Sequence, residues 1–446
     1  MEEKKKRRIL VFSVDALVSE DIEYLKTCPN FKKYLGGGAR VMKMRTIYPS
    51  VTYPAHVSMM TGCYPEKTGV VSNYSFSLDS KEDSWQWFSD VIRVEDIFTA
   101  AKKAGYTTAS VFWPVTGRHP DIDWLIDEYW MPQAGDTLRS SFERAGSKPE
   151  VLDIIESNAH LLAPSYLKTG RKNFCVHPEV DNFLVKCCCD IIRKFRPEVT
   201  FVHNGNIDNG RHTNGVFGEW LQPALDIVDK AIGDLGESLE AIGELENTDF
   251  FLVSDHGQLD IKRTIKPNLL LARLGLLKAN AKGKVTEWKA YCRSNAMSTL
   301  IYLHDPDDKE TYDYLYSELK KMRDEGIYGF SEVFTREEAK EKEHLDGDFA
   351  FCLETDGYTS YSDSCREPLL APLDVTDFRF GHATHGYLPE KGPQPVFCAK
   401  GPHIRDGVTL DMRHTVDEAP TYAKILGAEM PWADGTAITE ILKDKN

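Results

Sequence analysis

Three short apolar runs, each leading to an acidic residue, constrain the fold of this chain more than any other feature. The runs and the residues that come after them are 9–14 before Asp15, 199–203 before Asp208, and 249–253 before Asp255 and His256. Continuous apolar runs of this length are typical of parallel strands that are buried on both faces. In open α/β sheets, ligands bind at the carboxyl ends of such strands. The sequence therefore predicts that these polar side chains meet at one edge of a parallel sheet.

Helical patterns between these runs complete an α/β alternation. We expect helices near 94–104, within 135–196, and near 219–244 and 416–426, with further strands near 106–113 and 396–400. This alternation predicts a doubly wound, mostly parallel central sheet flanked by helices. Residues 261–379 break the pattern with a helix near 309–325 and a strand near 349–354. We interpret them as an inserted cap subdomain on a core of residues 1–260 and 380–446.

The stretch from Tyr48 to Gly62 has the pattern of a loop that turns into a short helix. Pro54 suits a first helical turn, and Gly62 suits a helix end. Thr52 should then lie just ahead of a helix N-terminus, where backbone N–H groups favour an anion. A threonine in such a place is an N-cap far more often than a nucleophile, so its role depends on the residues around it.

Charge and composition exclude several kinds of partner. The chain has 446 residues and a formal net charge of -15, which argues against binding long nucleic acid. The run 9–14 is too short for a signal peptide or a membrane span, and no other stretch is long and apolar enough to span a bilayer. The 10 cysteines show no disulfide-framework spacing, so we expect reduced thiols in a cytoplasmic protein. The sequence does not specify an oligomeric state.

Carboxylate and imidazole groups recur near the predicted sheet edge in a pattern that suits metal ions. The ligand-type residues are Asp15, Asp208, His212, Asp255 and His256, and a later loop adds His382 and His385. Mixed oxygen and nitrogen ligands suit zinc, and also manganese or iron. Asp208 and His212 are four positions apart and can converge on one ion. Each pair taken alone is more often structural.

Together these residues resemble the nucleotide pyrophosphatase/phosphodiesterase family of the alkaline phosphatase superfamily. The segments that carry the resemblance are, in chain order, Val11–Ala16, Tyr48–Asn73, Phe112–Pro114, Asp208–Gly215, Ser254–Gly257, Thr384–Gly386 and Asp417–Thr421. The resemblance implies an alkaline phosphatase-like fold. It also implies a di-zinc hydrolase that cleaves phosphodiester or phosphoanhydride bonds of small nucleotides through a phospho-threonine-type intermediate.

The resemblance implies two sets of zinc ligands. One ion would be held by Asp208, His212 and His385, and the other by Asp15, Asp255 and His256. Manganese or another divalent ion could take the place of zinc. His385 is preferred to His382 because it carries the His-Gly pair of the family.

The resemblance also implies roles in catalysis and substrate binding. Thr52 would be the nucleophile, and Asn73 would donate a hydrogen bond to a phosphoryl oxygen. Tyr53 and Trp113 would stack against a nucleobase. The sequence departs from the family at Arg211, because a glycine usually precedes the histidine there.

Other functions are compatible with the same residues. They are a phospholipid-headgroup phosphodiesterase, a phosphonoacetate hydrolase, a phosphomonoesterase, an inactive binding protein and a structural metal protein. Thr52 together with a full ligand set argues against the inactive protein.

We expect a phosphodiester to be preferred to a phosphomonoester. No Lys or Arg occurs between Thr46 and Glu66, and Asn73 is neutral. Phosphatases of the superfamily meet the monoester dianion with an arginine or a third metal ion. Arg93, Arg118 and Arg211 could reach in from elsewhere in the chain.

Overall fold

The computed structural model describes residues 6–78, 85–128, 135–162, 176–377 and 379–443. The strands in these ranges are β1 (Arg8–Val14), β2 (Ala39–Arg45), β3 (Thr108–Val111), β4 (Trp124–Ile126), β5 (Val199–Asn204), β6 (Thr248–Val253), β7 (Leu259–Asp260), β8 (Arg263–Ile265), β9 (Leu277–Ala279), β10 (Val285–Trp288), β11 (Ala290–Asn295), β12 (Ser298–Leu303), β13 (Phe330–Thr335), β14 (Phe351–Thr355), β15 (Thr359–Tyr361), β16 (Leu370–Ala371), β17 (Ala383–Thr384), β18 (Phe397–Lys400) and β19 (Thr409–His414). The α-helices are α1 (Ile22–Leu25), α2 (Pro29–Tyr34), α3 (Thr52–Thr61), α4 (Pro65–Thr68), α5 (Ile97–Lys103), α6 (Leu138–Arg144), α7 (Pro149–Asn158), α8 (Glu179–Phe195), α9 (Asn206–Asn214), α10 (Leu221–Ala241), α11 (Pro267–Arg273), α12 (Lys309–Glu325), α13 (Arg336–Glu343) and α14 (Glu418–Leu426).

A central sheet of 8 strands has the order β19-β2-β18-β6-β1-β5-β3-β4. The strands from β6 to β4 run parallel to one another. Only β18 is antiparallel to its two neighbours, β6 and β2. The predicted mostly parallel, doubly wound sheet is therefore confirmed. β1 lies in its middle, which explains why its sequence is a continuous apolar run.

The helices cover both faces of this sheet. Alternate residues of β1 point to opposite sides: Leu10, Phe12 and Val14 join a core cluster with α2, α7, α8 and α10. Ile9 and Val11 join a second cluster with α3, α5 and α14. The polar residues that follow the strands therefore lie at a sheet edge with helices packed on both faces of the sheet.

The chain leaves the central sheet after β6 and returns to it at β18. Just before residue 261, β7 pairs in the antiparallel sense with β17, so the departing and returning segments lie side by side. Between them, β11, β12, β14 and β13 form a sheet of their own, and α12 packs on it through Leu315 and Leu319. This geometry is typical of an insertion, although the boundaries at 261 and 379 stay a prediction.

The tip of the β11–β12 hairpin reaches the loops that carry candidate site residues. The hydroxyl of Ser72 donates to Asn295 Oδ1 at 2.6 Å, next to Asn73 in the chain. The backbone N–H of Met297 donates to the carbonyl of His385 at 3.0 Å. The inserted segment therefore helps to hold both loops in place.

Two sequence expectations concern membranes and thiols. Among the described residues, no helix combines the length and the apolar character that crossing a membrane requires. The cysteines in the same ranges form no disulfide. The cytoplasmic location stays a prediction.

Glu354 on β14 joins the inserted segment to the loop that follows His385. Its side chain is fully buried, and Oε1 accepts a hydrogen bond from the Leu388 N–H at 3.1 Å. Lys391 Nζ lies 2.8 Å from the same oxygen. Burial raises the pKa of Glu354 to about 7, although the charge of Lys391 opposes this.

The raised pKa of Glu354 predicts a pH-dependent stability. The folded chain keeps a proton that the unfolded chain releases between pH 4.5 and about 7. The free energy of unfolding should therefore fall as the pH rises through this window, by up to about 3 kcal/mol at about 1.4 kcal/mol per pKa unit. Urea denaturation of Glu354→Gln should lack this contribution.

Glu332→Gln is the matched control, because Glu332 pairs with Glu354 across β13 and β14 but is exposed. It should keep the pH dependence of the wild type. Equal pH profiles for the wild type and Glu354→Gln would refute this assignment.

Candidate active site

The ends of adjacent strands bring the first candidate residues together. Asp15 directly follows β1, while Asp255 and His256 come just after the neighbouring β6. The next strand on the other side, β5, leads into α9. Asp208 and His212 lie four positions apart on α9, so both face the same side of that helix. These side chains therefore follow three adjacent parallel strands, at the same edge of the sheet.

Two groups of ligand-type atoms lie close enough to hold an ion each. One oxygen of Asp15, one oxygen of Asp255 and one nitrogen of His256 lie within 4.8 Å of one another. The same limit holds for atoms of Asp208, His256 and His385. His256 is shared by both groups, so the two groups are adjacent.

His212 lies against Asp208 but is not one of the three residues of that group. The Nε2 atom of His212 lies 3.0 Å from Asp208 Oδ2, and its Nδ1 contacts the carbonyl of Ala383 at 2.7 Å. A carbonyl partner of this kind fixes the ring so that Nε2 faces the carboxylate. In the later loop, His385 is buried and His382 is exposed. The structure thus places His385, the preferred residue of the two, beside Asp208.

The donor set fits divalent cations. Asp15 Oδ1 and Asp255 Oδ2 are buried, and neither makes a hydrogen bond within the described residues. A buried carboxylate oxygen without a partner is costly unless a cation or a donor meets it. Carboxylate and imidazole ligands in such groups suit zinc or manganese. The ligand assignment itself stays a prediction.

The shifted pKa values of these residues also favour a bound cation. Burial and the charge of Asp208 raise the pKa of Asp15 well above its usual range, and burial with the charge of Asp15 does the same for Asp255. Burial alone would also raise the pKa of Asp208, but the neighbouring His212 lowers it. Burial and His212 lower the pKa of His256 to about 3. Several carboxylates thus share one buried edge, and a bound cation would relieve their repulsion.

Thr52 lies at the first position of α3, one residue later than the pattern suggested. Its Oγ1 lies 3.3 Å from His256 Nε2, the ring shared by both ligand groups. The backbone N–H of Tyr53 donates to Asn73 Oδ1 at 2.9 Å, which turns the amide of Asn73 toward the same helix terminus. Gly62 ends the helix with φ 69°, as predicted. The hydroxyl, the helix N-terminus and the amide therefore converge at one place.

The cavity beside Thr52 has an aromatic wall. Its lining includes Tyr53, Trp85 and Phe112. The rings of Tyr53 and Trp85 lie 5.3 Å apart. Tyr53 lines the cavity but is only 1% exposed, and its base-stacking role stays a prediction.

Trp113 is not part of this wall, and its predicted role is corrected. Its side chain is fully buried in the core, where the indole N–H donates to the carbonyl of His56 at 3.3 Å. Its ring meets the edges of the His56 and Phe201 rings. Phe112 comes just after β3 with a φ of 62°, and at this turn Phe112 lines the cavity while Trp113 packs into the core.

The structure adds lining residues that sequence reasoning missed. They are Trp85, Phe112, Glu128, His177 and His203. His203 Nε2 lies 3.4 Å from Asp15 Oδ2, and His177 Nδ1 lies 2.5 Å from Asp181 Oδ2. The position of His203 at the end of β5, next to β1, was a signal that could have found it. His177 precedes its helix and carried no comparable signal.

Cationic side chains stay out of this cavity. Arg118 stacks over the ring of Phe88, with 4.0 Å from its guanidinium carbon to the ring centre. Arg93 packs against Gly69, and Arg211 is fully buried. Within the part of the chain that the structure describes, no Lys or Arg lines the cavity.

Curated relatives resemble part of this chain. It is similar to ectonucleotide pyrophosphatase/phosphodiesterase family member 1 of Rattus norvegicus, with 26% identity over 261 residues, which are 56% of this chain and 24% of that protein. The similarity to the Homo sapiens member 1 is 35% over 131 residues, which are 25% of this chain and 13% of that protein. The chain thus spans at most about a quarter of the length of these relatives.

Solved structures share the fold over almost the whole chain. Murine ectonucleotide pyrophosphatase/phosphodiesterase 5 superposes with a TM-score of 0.65 at 18% identity, covering 98% of this chain and 100% of that chain. An inactive variant of the same murine protein in complex with AMP gives 0.65 at 17% identity, with 98% and 100% covered. This likeness supports the predicted alkaline phosphatase-like architecture.

A match to a whole protein family agrees with these likenesses. Residues 9–388 match the family described as Type I phosphodiesterase / nucleotide pyrophosphatase. That range runs from β1 to the loop after His385, so it includes every residue of the two ligand groups. The chain belongs to the type I phosphodiesterase/nucleotide pyrophosphatase family.

Proposed function

We propose that this protein is a metal-dependent phosphodiesterase or nucleotide pyrophosphatase that uses Thr52 as its nucleophile. The observation that carries the proposal is the 3.3 Å distance between Thr52 Oγ1 and Nε2 of His256, the residue common to both ligand groups. A hydroxyl in this position would lie next to a phosphoryl group bound at the two ligand groups. The family to which the chain belongs supports the same reaction class.

The residues that would hold the metal ions are the sets that the family resemblance implies, in which His212 rather than His256 belongs to the second ion. Asp15, Asp255 and His256 would hold one ion, and Asp208, His212 and His385 the other. We propose zinc for both positions, with manganese as the alternative. When bound, such ions activate a hydroxyl as a nucleophile and stabilise charge on phosphoryl oxygens.

The chain itself positions the reacting groups. Thr52 would attack phosphorus, forming a bond from its Oγ1 while the bond to the leaving oxygen breaks. The N-terminus of α3 and the amide of Asn73 present fixed dipoles to the charge that develops on the phosphoryl oxygens. Water would then hydrolyse the phosphoryl-threonine and restore the hydroxyl.

The lining of the cavity favours a diester. A monoester dianion carries more charge than a diester, and the described lining offers it no Lys or Arg. Arg93, Arg118 and Arg211, which could have supplied that charge, make contacts elsewhere. The neutral amide of Asn73 is the polar group beside Thr52. We therefore propose phosphodiesters or phosphoanhydrides of small nucleotides as substrates.

The aromatic wall supports a nucleoside group on the substrate. Tyr53 and Trp85 present rings beside the nucleophile. Stacking of a base on an aromatic side chain contributes about 1–3 kcal/mol and tolerates different bases. The inactive variant of the murine structural neighbour is in complex with AMP, which agrees with this substrate class.

A substrate panel tests the proposed activity. The value of kcat/KM should be higher for thymidine monophosphate p-nitrophenyl ester and bis-p-nitrophenyl phosphate than for p-nitrophenyl phosphate at matched pH and zinc. The physical reason is that the described residues lining the cavity include no Lys or Arg. A preference for the monoester would move the protein to the phosphomonoesterase alternative, and no turnover of any ester would favour a binding protein.

Replacement of Thr52 tests the nucleophile. Thr52→Ala should lower kcat by about 10³-fold or more, because the attacking oxygen is gone. Its metal content should stay near that of the wild type, at about two ions per chain. Activity within tenfold of the wild type would remove Thr52 from this role.

Thr52→Ser is the matched control, since it keeps the hydroxyl and should keep measurable turnover. Excess chelator should abolish the activity of both the wild type and this control. Full activity in chelator, with no ion detected by metal analysis, would contradict the metal-dependent mechanism.

Replacement of the aromatic wall tests the base pocket. Trp85→Ala should raise KM for the thymidine ester by about 5- to 150-fold, which corresponds to the stacking contribution of one ring. The effect on bis-p-nitrophenyl phosphate should be smaller, because that ester has no base. Trp113→Phe should instead lower the melting temperature and leave the KM ratio unchanged. Equal KM changes for both esters in Trp85→Ala would exclude the base pocket.

A further inference from the structure

Arg211 lies between Asp208 and His212 on α9, but its side chain turns away from the cavity. The side chain is fully buried, with 0% of its surface exposed. Nε donates to the carbonyl of Ala16 at 3.1 Å, and Nη2 donates to Asp21 Oδ2 at 2.6 Å. Nη1 donates to the carbonyl of Val216, just after the helix. One guanidinium therefore ties α9 to the segment that follows β1.

Ala16 is the residue next to Asp15, and its backbone is strained. Its φ is 56°, in the left-handed region that residues with a Cβ atom avoid. Its N–H donates to Asp255 Oδ1 at 3.2 Å, and its carbonyl accepts from Arg211. Strained backbone persists only where the surroundings hold it. The peptide beside Asp15 is thus held at one end by Asp255 and at the other by Arg211.

We infer that Arg211 is a positioning residue that fixes the two ligand groups relative to each other. Through α9 it sets the place of Asp208 and His212. Through Ala16 it sets the place of Asp15 and the Asp255 oxygen that Ala16 engages. This inference rests on the proposed function, because it concerns the metal groups of the same site.

The choice of arginine is itself informative. A buried guanidinium loses its hydration, so such residues are retained only where charge pairing and hydrogen bonds compensate. Here the planar fork meets Ala16, Asp21 and Val216 at once. The three N–H donors of a lysine share one compact ammonium centre, which cannot reproduce that planar fork. The shape of the guanidinium, and not only its volume and charge, thus links α9 to the segment that follows β1.

Metal affinity is the measurement that separates positioning from simple stabilisation. Zinc affinity is determined by competition with a chromophoric chelator, and the melting temperature of the metal-free protein is determined in parallel. Arg211→Lys should keep the melting temperature within a few degrees of the wild type. It should weaken the binding of at least one zinc ion by about 10- to 100-fold, as is usual when a residue that orients a ligand is changed. Cobalt substituted for zinc should show an altered visible spectrum.

Asp21→Asn serves as the matched control. It removes the ion pair but leaves the bond from Arg211 Nε to Ala16, so zinc affinity should stay near that of the wild type. Arg211→Met combined with Asp21→Asn removes both buried charges and keeps an apolar side chain of similar length. This double variant provides the test if Arg211→Lys fails to fold, and it too should bind zinc more weakly.

The outcomes are distinct. Wild-type zinc affinity in both Arg211→Lys and the double variant would overturn the positioning role while leaving the proposed function intact. A lower melting temperature without any loss of affinity would assign Arg211 a purely structural role and overturn the inference as well. If the wild type itself bound no metal ion, the proposed function would fall together with the inference.

Discussion

The repulsion between Asp15, Asp208 and Asp255 at one buried edge of the sheet is the constraint around which the structure is arranged. Each of these carboxylates comes from a different segment, and burial raises the free energy of their charged forms. Imidazole groups meet them from the side of the cavity. Arg211 reaches this region indirectly, through the backbone carbonyl of Ala16 and the carboxylate of Asp21. The described residues thus concentrate carboxylates at one buried edge, and a bound cation would offset their charge.

The convergence of Asp15 and Asp255 could be predicted from the sequence because a strand end fixes the position of a residue in space. Asp15 and Asp255 follow continuous apolar runs, and parallel neighbours deliver such residues to one edge. The aromatic wall could not be predicted in the same way. Whether Phe112 or Trp113 faces the cavity depends on a one-residue alternation at an irregular chain turn, where Phe112 has φ 62°. Trp85 comes from a loop, where no periodicity defines a direction.

Strands β2 and β19 were not predicted from the sequence, for a similar reason. β2 alternates buried and partly exposed residues, and β19 is an edge strand with mostly exposed side chains. Neither has the continuous apolar run that marked β1 and β6. Their pairing is decided by contacts far away in the sequence, which local patterns do not contain.

The place of β2 in the sheet also has a consequence for folding during translation. Val41 pairs with Phe397 on one side and with Leu410 on the other, so both neighbours of β2 are made much later than β2 itself. While the ribosome is still translating the inserted segment, β2 has emerged with both backbone edges unsatisfied. Unpaired strand edges invite wrong partners. In a nascent chain of this topology, one early strand therefore keeps two unpaired edges until β18 and β19 have been made.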